Sequence, residues 1–132
     1  MIVVDASVVA AWFFSDEADD LTISSTEMVL RESAVAPPIF PVEVANALLS
    51  ARRKGRIPKN DFDGAFEKLK QLPIMIESRE FDLERELALS LQYNLSMYDA
   101  MYLALAERRR IPLLTRDNRL HSAAVDARLS AR

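Results

Sequence analysis

The chain has 132 residues, 50% of them hydrophobic and 28% charged, which fits one globular domain over 1–132 and excludes a disordered chain. It has no cysteine, which excludes a disulfide framework and a thiolate metal site and points to a reducing compartment. A formal net charge of −3 excludes a uniformly basic nucleic-acid binder. Basic residues still cluster in "RRKGR" at 52–56 and in seven arginines between Glu107 and Arg132, so a polyanion can be held locally.

In chain order, "IVV" at 2–4 has the composition of a buried strand and runs straight into Asp5. "VVAAWFF", from Val8 to Phe14, is the longest apolar run at seven residues, against roughly twenty for a membrane span. No basic region precedes the first apolar residues, so a soluble, cytoplasmic protein is expected. Residues 7–14 and about 20–33 are expected to be helical, with the acidic "SDEADD" at 15–20 between them. "SAVA" at 33–36 is a second strand. The next helix opens near Pro41 and stops at Gly55.

Asn60 or Asp61 is placed to cap a helix through about Leu72, and "PIMIES" supplies a third strand. Helices over 82–94 and 96–109 then precede a fourth strand in "IPLLT" at 111–115. Strands alternating with helices at this spacing imply a parallel sheet covered by helices on both faces. Ligands of such sheets gather at the carboxyl ends of the strands.

Four acids share that rim. Asp5 follows the first strand, Asp117 lies just past the fourth, and Glu43 and Asp99 fall in the first turns of helices. Singly, each has a structural explanation: a cap at Asp5, helix-dipole contacts at Glu43 and Asp99, a turn at Asp117. Asp99 also stands three residues after Ser96, approximating a capping box in the otherwise apolar "MYDAMYLALA". Together, four converging carboxylates repel one another unless a cation joins them.

Mg²⁺ or Mn²⁺ suits such oxygen donors. Zinc does not, because cysteine is absent and His121, the one histidine, is expected at the surface. A metal held this way binds phosphate oxygens and activates water. Ser7 and Thr115 are placed to orient a carboxylate or touch phosphate. Arg52, Arg53, Arg108, Arg109, Arg110 and Arg116 are candidates for contact with a nucleic-acid backbone, although arginines at a helix end also complement its dipole. "AWFF" around Trp12 fits a core, and any exposed part of it would mark a partner site.

These residues resemble the PIN-domain ribonucleases, most closely the VapC-type toxins of toxin–antitoxin pairs. The resemblance rests on "MIVVDASVV", "PVEVANALL" and "LSMYDAMYLALAERRRIPLLTRDNRL" and covers nearly the whole chain. It implies a PIN-like three-layer α/β fold, a central parallel sheet of four to five strands flanked by helices. It implies an Mg²⁺ site of Asp5, Glu43, Asp99 and Asp117, with Ser7 and Thr115 as the neighbouring hydroxyl residues. It also implies an endoribonuclease acting on tRNA, rRNA or mRNA, a homodimer, and inhibition by a small antitoxin laid over an apolar groove and the active site.

The family's fifth strand is not evident in "HSAAVDARLSAR". A non-catalytic PIN-fold module binding RNA or protein is the alternative, and it predicts the loss of one or more acids. A phosphoaspartate receiver is set aside because "VVDAS" lacks paired acids and Arg116 stands where a lysine is needed. A haloacid-dehalogenase-type phosphatase is set aside because Ser7 occupies the place of its second aspartate.

Overall fold

A computed structural model describes residues 1–14, 19–78 and 80–132. Residues 15–18, most of the acidic "SDEADD" run, and residue 79 lie outside the described residues. The elements run β1 (Ile2–Val4), α1 (Ala6–Ala11), α2 (Asp20–Glu32), β2 (Ala34–Ala36), α3 (Phe40–Arg53) and α4 (Lys59–Lys70). They continue with β3 (Ile74–Ile76), α5 (Leu83–Tyr93), α6 (Met97–Arg109), β4 (Leu113–Leu114) and α7 (Asn118–Asp126).

The strands form one parallel sheet in the order β3-β2-β1-β4. The β-branched residues of β1 are buried throughout, as a strand covered on both faces requires. From β1 the chain builds outward through β2 to β3, then returns to add β4 on the other side. That reversal between β1 and β4 is the point at which a doubly wound sheet opens a crevice at its carboxyl rim.

The principal helix contacts fall into two groups: α1 with α2 and α3, and α3 with α4; α6 with α5 and α7. β1 touches α2 and α6, one member of each group. The apolar helix is thereby explained. In α6, Ala100 and every residue from Tyr102 to Ala106 are buried, so the helix is enclosed on nearly all sides rather than amphipathic.

Three boundaries differ from the sequence expectation. α1 stops at Ala11, and Trp12 and Phe13 form a turn. α4 starts at Lys59, behind Pro58 at the cap position with φ −62°. Asn60 and Asp61 therefore sit inside its first turn instead of capping it, because the proline's fixed φ sets the entry of the chain. Finally, α7 occupies the first half of the tail in which a fifth strand was in question. What remains of that strand is a single parallel bridge, Leu113 to Ser130. It is held by Leu113 N to Leu129 O at 2.6 Å and Ala131 N to Leu113 O at 3.0 Å.

Candidate active site

Asp5 stands at the carboxyl end of the central strand, in the position that would cap α1. Its side chain makes no cap hydrogen bond. Instead, Oδ2 accepts the Ser7 hydroxyl at 2.6 Å and the Thr115 hydroxyl at 2.7 Å. The same hydroxyl oxygens accept backbone amides past β4: Arg116 N on Ser7 and Asp117 N on Thr115, both at 3.0 Å. Two hydroxyls thus join the ends of β1 and β4. Only 4% of Asp5 is exposed, and burial pushes its carboxyl above the usual aspartate range despite those hydrogen bonds.

Glu43, in the first turn of α3, accepts a hydrogen bond from the Tyr102 hydroxyl on Oε1 at 2.6 Å. Burial raises its pKa, and the charges of Asp5 and Asp99 add to the rise. Asp99 lies in the first turn of α6, its backbone N–H donating to Ser96 Oγ at 3.1 Å. Its carboxyl is pushed up to about 6 by burial and then by the charges of Asp5 and Asp117. Asp117 caps α7, accepting Leu120 N on Oδ1 at 2.8 Å.

All four acids, with Ser7, line one cleft of about 220 Å³. Thr115 lies beneath them, 1% exposed. The cleft adjoins one hollow containing Ser96, Asn118 and Arg119 and another containing Phe14, Ala47 and Arg116, each sharing Asp117.

Among the described residues, no ion pair reaches any of the four acids. Their hydrogen-bond partners are hydroxyls and amides, which orient a carboxylate without neutralising it. Nor, among the described residues, are three His, Cys, Asp or Glu side chains already gathered as a metal cage. The crowded carboxylates fit a hard divalent ion in charge and donor type. His121 is half-buried on α7, has an unpartnered Nδ1 among the described residues, and does not line the cleft.

The arginines divide. Arg116 stands beside the cleft with its guanidinium committed to Asp19 by two bonds of 2.9 Å. Arg108 and Arg109 both clasp Glu77 at 2.9 Å. Arg52 and Arg53 lie in the last turn of α3, complementing its negative end. Arg52, Arg53 and Arg108 line none of the three hollows around the acids. Two basic residues absent from the sequence-based candidates come nearer. Arg119 lines one flanking hollow, and Arg56 stacks 4.7 Å over the ring of Phe14 in the other. Tyr102 was also missed; a tyrosine in an apolar helix reads as core, and its spacing from Asp99 was the available signal.

A larger cleft of about 320 Å³ shares no residue with the acid cleft. Trp12, Phe13, Ile57 and Leu72 line it together with Asp61 and Lys68. The "AWFF" stretch is therefore partly exposed at Trp12 and Phe13 rather than wholly core.

Thr115→Val removes a hydroxyl from buried Asp5 at nearly constant shape. It is expected to cost about 1–3 kcal/mol in urea denaturation, because a hydrogen bond to a buried carboxylate and the acceptor of the Asp117 amide are lost while Ser7 still bonds Asp5. An unchanged midpoint would mean that Thr115 does not support Asp5.

Among known proteins, residues 2–126 match the family model for the PIN domain. Ribonuclease VapC1 of Mycobacterium tuberculosis is 34% identical over 124 residues, covering 92% of this chain and 89% of that one. The crystal structure of PAE2754 from Pyrobaculum aerophilum shares the fold with a TM-score of 0.71 at 22% identity, over 99% of this chain and 96% of that one. A toxin–antitoxin complex from Klebsiella pneumoniae aligns with a TM-score of 0.63 at 21% identity, over 89% and 87% of the two chains.

Proposed function

The chain belongs to the PIN-domain family and its VapC branch, and from that membership we propose that it is a metal-dependent endoribonuclease, the toxin of a toxin–antitoxin pair. The observation that carries this reading is the cleft. Four carboxylates meet at the crevice between β1 and β4, with no ion pair to any of them among the described residues.

Asp5 and Asp99 are the main candidates to hold Mg²⁺ or Mn²⁺, with Glu43 and Asp117 completing the site or positioning water. When bound, such an ion supplies a Lewis acid that binds a phosphate oxygen and lowers the pKa of a water molecule. Ser7 and Thr115 keep Asp5 in place by bonding one of its oxygens. Arg119 on one side of the acids and Arg116 on the other mark the course of an RNA strand. The positive charge of Arg119 offsets part of the repulsion between the phosphate backbone and the acidic cleft, whereas that of Arg116 is matched by Asp19.

The antitoxin reading draws on the kinship with a toxin–antitoxin complex and on the cleft beside Trp12 and Phe13, which suits an apolar helix face. A homodimer would find cover for Leu83, Leu87 and Leu91, exposed one turn apart along α5.

Purified protein is expected to cut RNA in Mg²⁺, to stop in excess chelator, and to recover on adding Mn²⁺. Undiminished cutting in chelator would sink the metal reading. RNA binding without cutting, by protein supplied with metal, would favour the non-catalytic module.

A further inference from the structure

Tyr102 is the largest fully buried side chain among the described residues and is 0% exposed. Its hydroxyl reaches from α6 to α3, meeting Glu43 across 59 positions of sequence. The phenol bonds Oε1 alone, and among the described residues no hydrogen bond is made to Oε2. Glu43 as a whole is half-buried rather than sealed in the core. Glu43 itself lines the acid cleft.

We propose that Tyr102 is a positioning residue that holds Glu43 by one oxygen and leaves the other available to a divalent cation in the cleft. This rests on the metal-dependent reading above. Glutamate has three rotatable bonds and loses much side-chain freedom when it takes up a fixed position. A phenol locked in the core restricts that freedom before any ligand arrives. It does so without bringing a positive charge that would compete with the cation. Asp5 is held in the same manner, by two hydroxyls on Oδ2. Hydroxyl donors therefore support carboxylates on both sides of the cleft.

The test is Mn²⁺ binding by calorimetry to wild type, Tyr102→Phe, Glu43→Gln and the double variant, with thermal melting of each to verify folding. Tyr102→Phe keeps the ring, and its Mn²⁺ affinity is expected to fall about 10-fold, as for other groups that orient a metal ligand. In the Glu43→Gln background the same change should alter affinity less than about 2-fold, because the oriented charge is already gone. Equal losses in the two backgrounds, or no loss at all, would overturn the proposal while leaving the metal reading intact. A wild type that binds no Mn²⁺ would overturn both.

Discussion

Asp99→Asn is expected to lower metal-dependent RNA cleavage by about 10²–10³-fold, the usual scale for removing one group that stabilises charge at a reacting centre. The same change is expected to make the metal-free protein more stable near neutral pH. Both effects have one cause. Asp99 lies in a cleft with three other acids, and its carboxyl is raised to about 6 by burial and by the charges of Asp5 and Asp117. At neutral pH it is therefore held in an ionised form that the fold disfavours.

Asparagine has the same shape, and the backbone bond to Ser96 does not depend on the side-chain charge. The helix start should survive. Melting without metal should rise, the gain on adding Mg²⁺ should shrink, and cleavage should fall. Full activity in the variant would remove Asp99 from the proposed machinery. Growth arrest on induction by wild type but not by the variant checks the same point in cells.

The pH dependence of stability is the second large effect. A carboxyl raised to about 6 in the folded protein, against about 3.9 in an unfolded chain, holds its proton more tightly when folded. Its contribution is full below about pH 4 and is lost as pH rises through about 6, for at most about 3 kcal/mol from this group. Asp5 and Glu43, both raised mainly by burial, act in the same direction.

Asp19, Glu77 and Glu107 have lowered values because of their arginine partners. Their stabilisation is present above the unfolded values and is lost as pH falls through the folded ones, below this window. His121, lowered by burial, opposes Asp99 within the window. The informative quantity is therefore the melting difference between Asp99→Asn and wild type in chelator, measured from about pH 4 to about pH 7. It should grow as pH rises, and saturating Mg²⁺ should shrink it, since a bound cation stabilises the ionised carboxylates. A difference that stays flat with pH would show that Asp99 carries no such strain.

The legible features were those set by local order. β1 follows from three β-branched residues, and Asp5 is placed by coming next. The Ser96–Asp99 spacing gave the start of α6, and Pro41 that of α3. What the side chains then do was less legible, because their partners are remote in sequence. Asp5 looks like a cap until Thr115, 110 positions away, supplies a hydroxyl. Arg108 looks free to track a backbone until Glu77 is brought to it. Tyr102 looks like core, and is core, except for one oxygen. Composition and periodicity report burial; they do not report which polar atom at the edge of the core faces which other.

The single bridge between Leu113 and Ser130 bears on how the molecule behaves at high concentration. A sheet margin with a long run of open amides and carbonyls can recruit a strand from another chain. Here the β4 side ends on a one-residue pairing already occupied by the tail. The opposite margin, β3, is three residues long. Each margin offers only a short ladder among the described residues, so strand length itself limits edge-to-edge pairing between molecules.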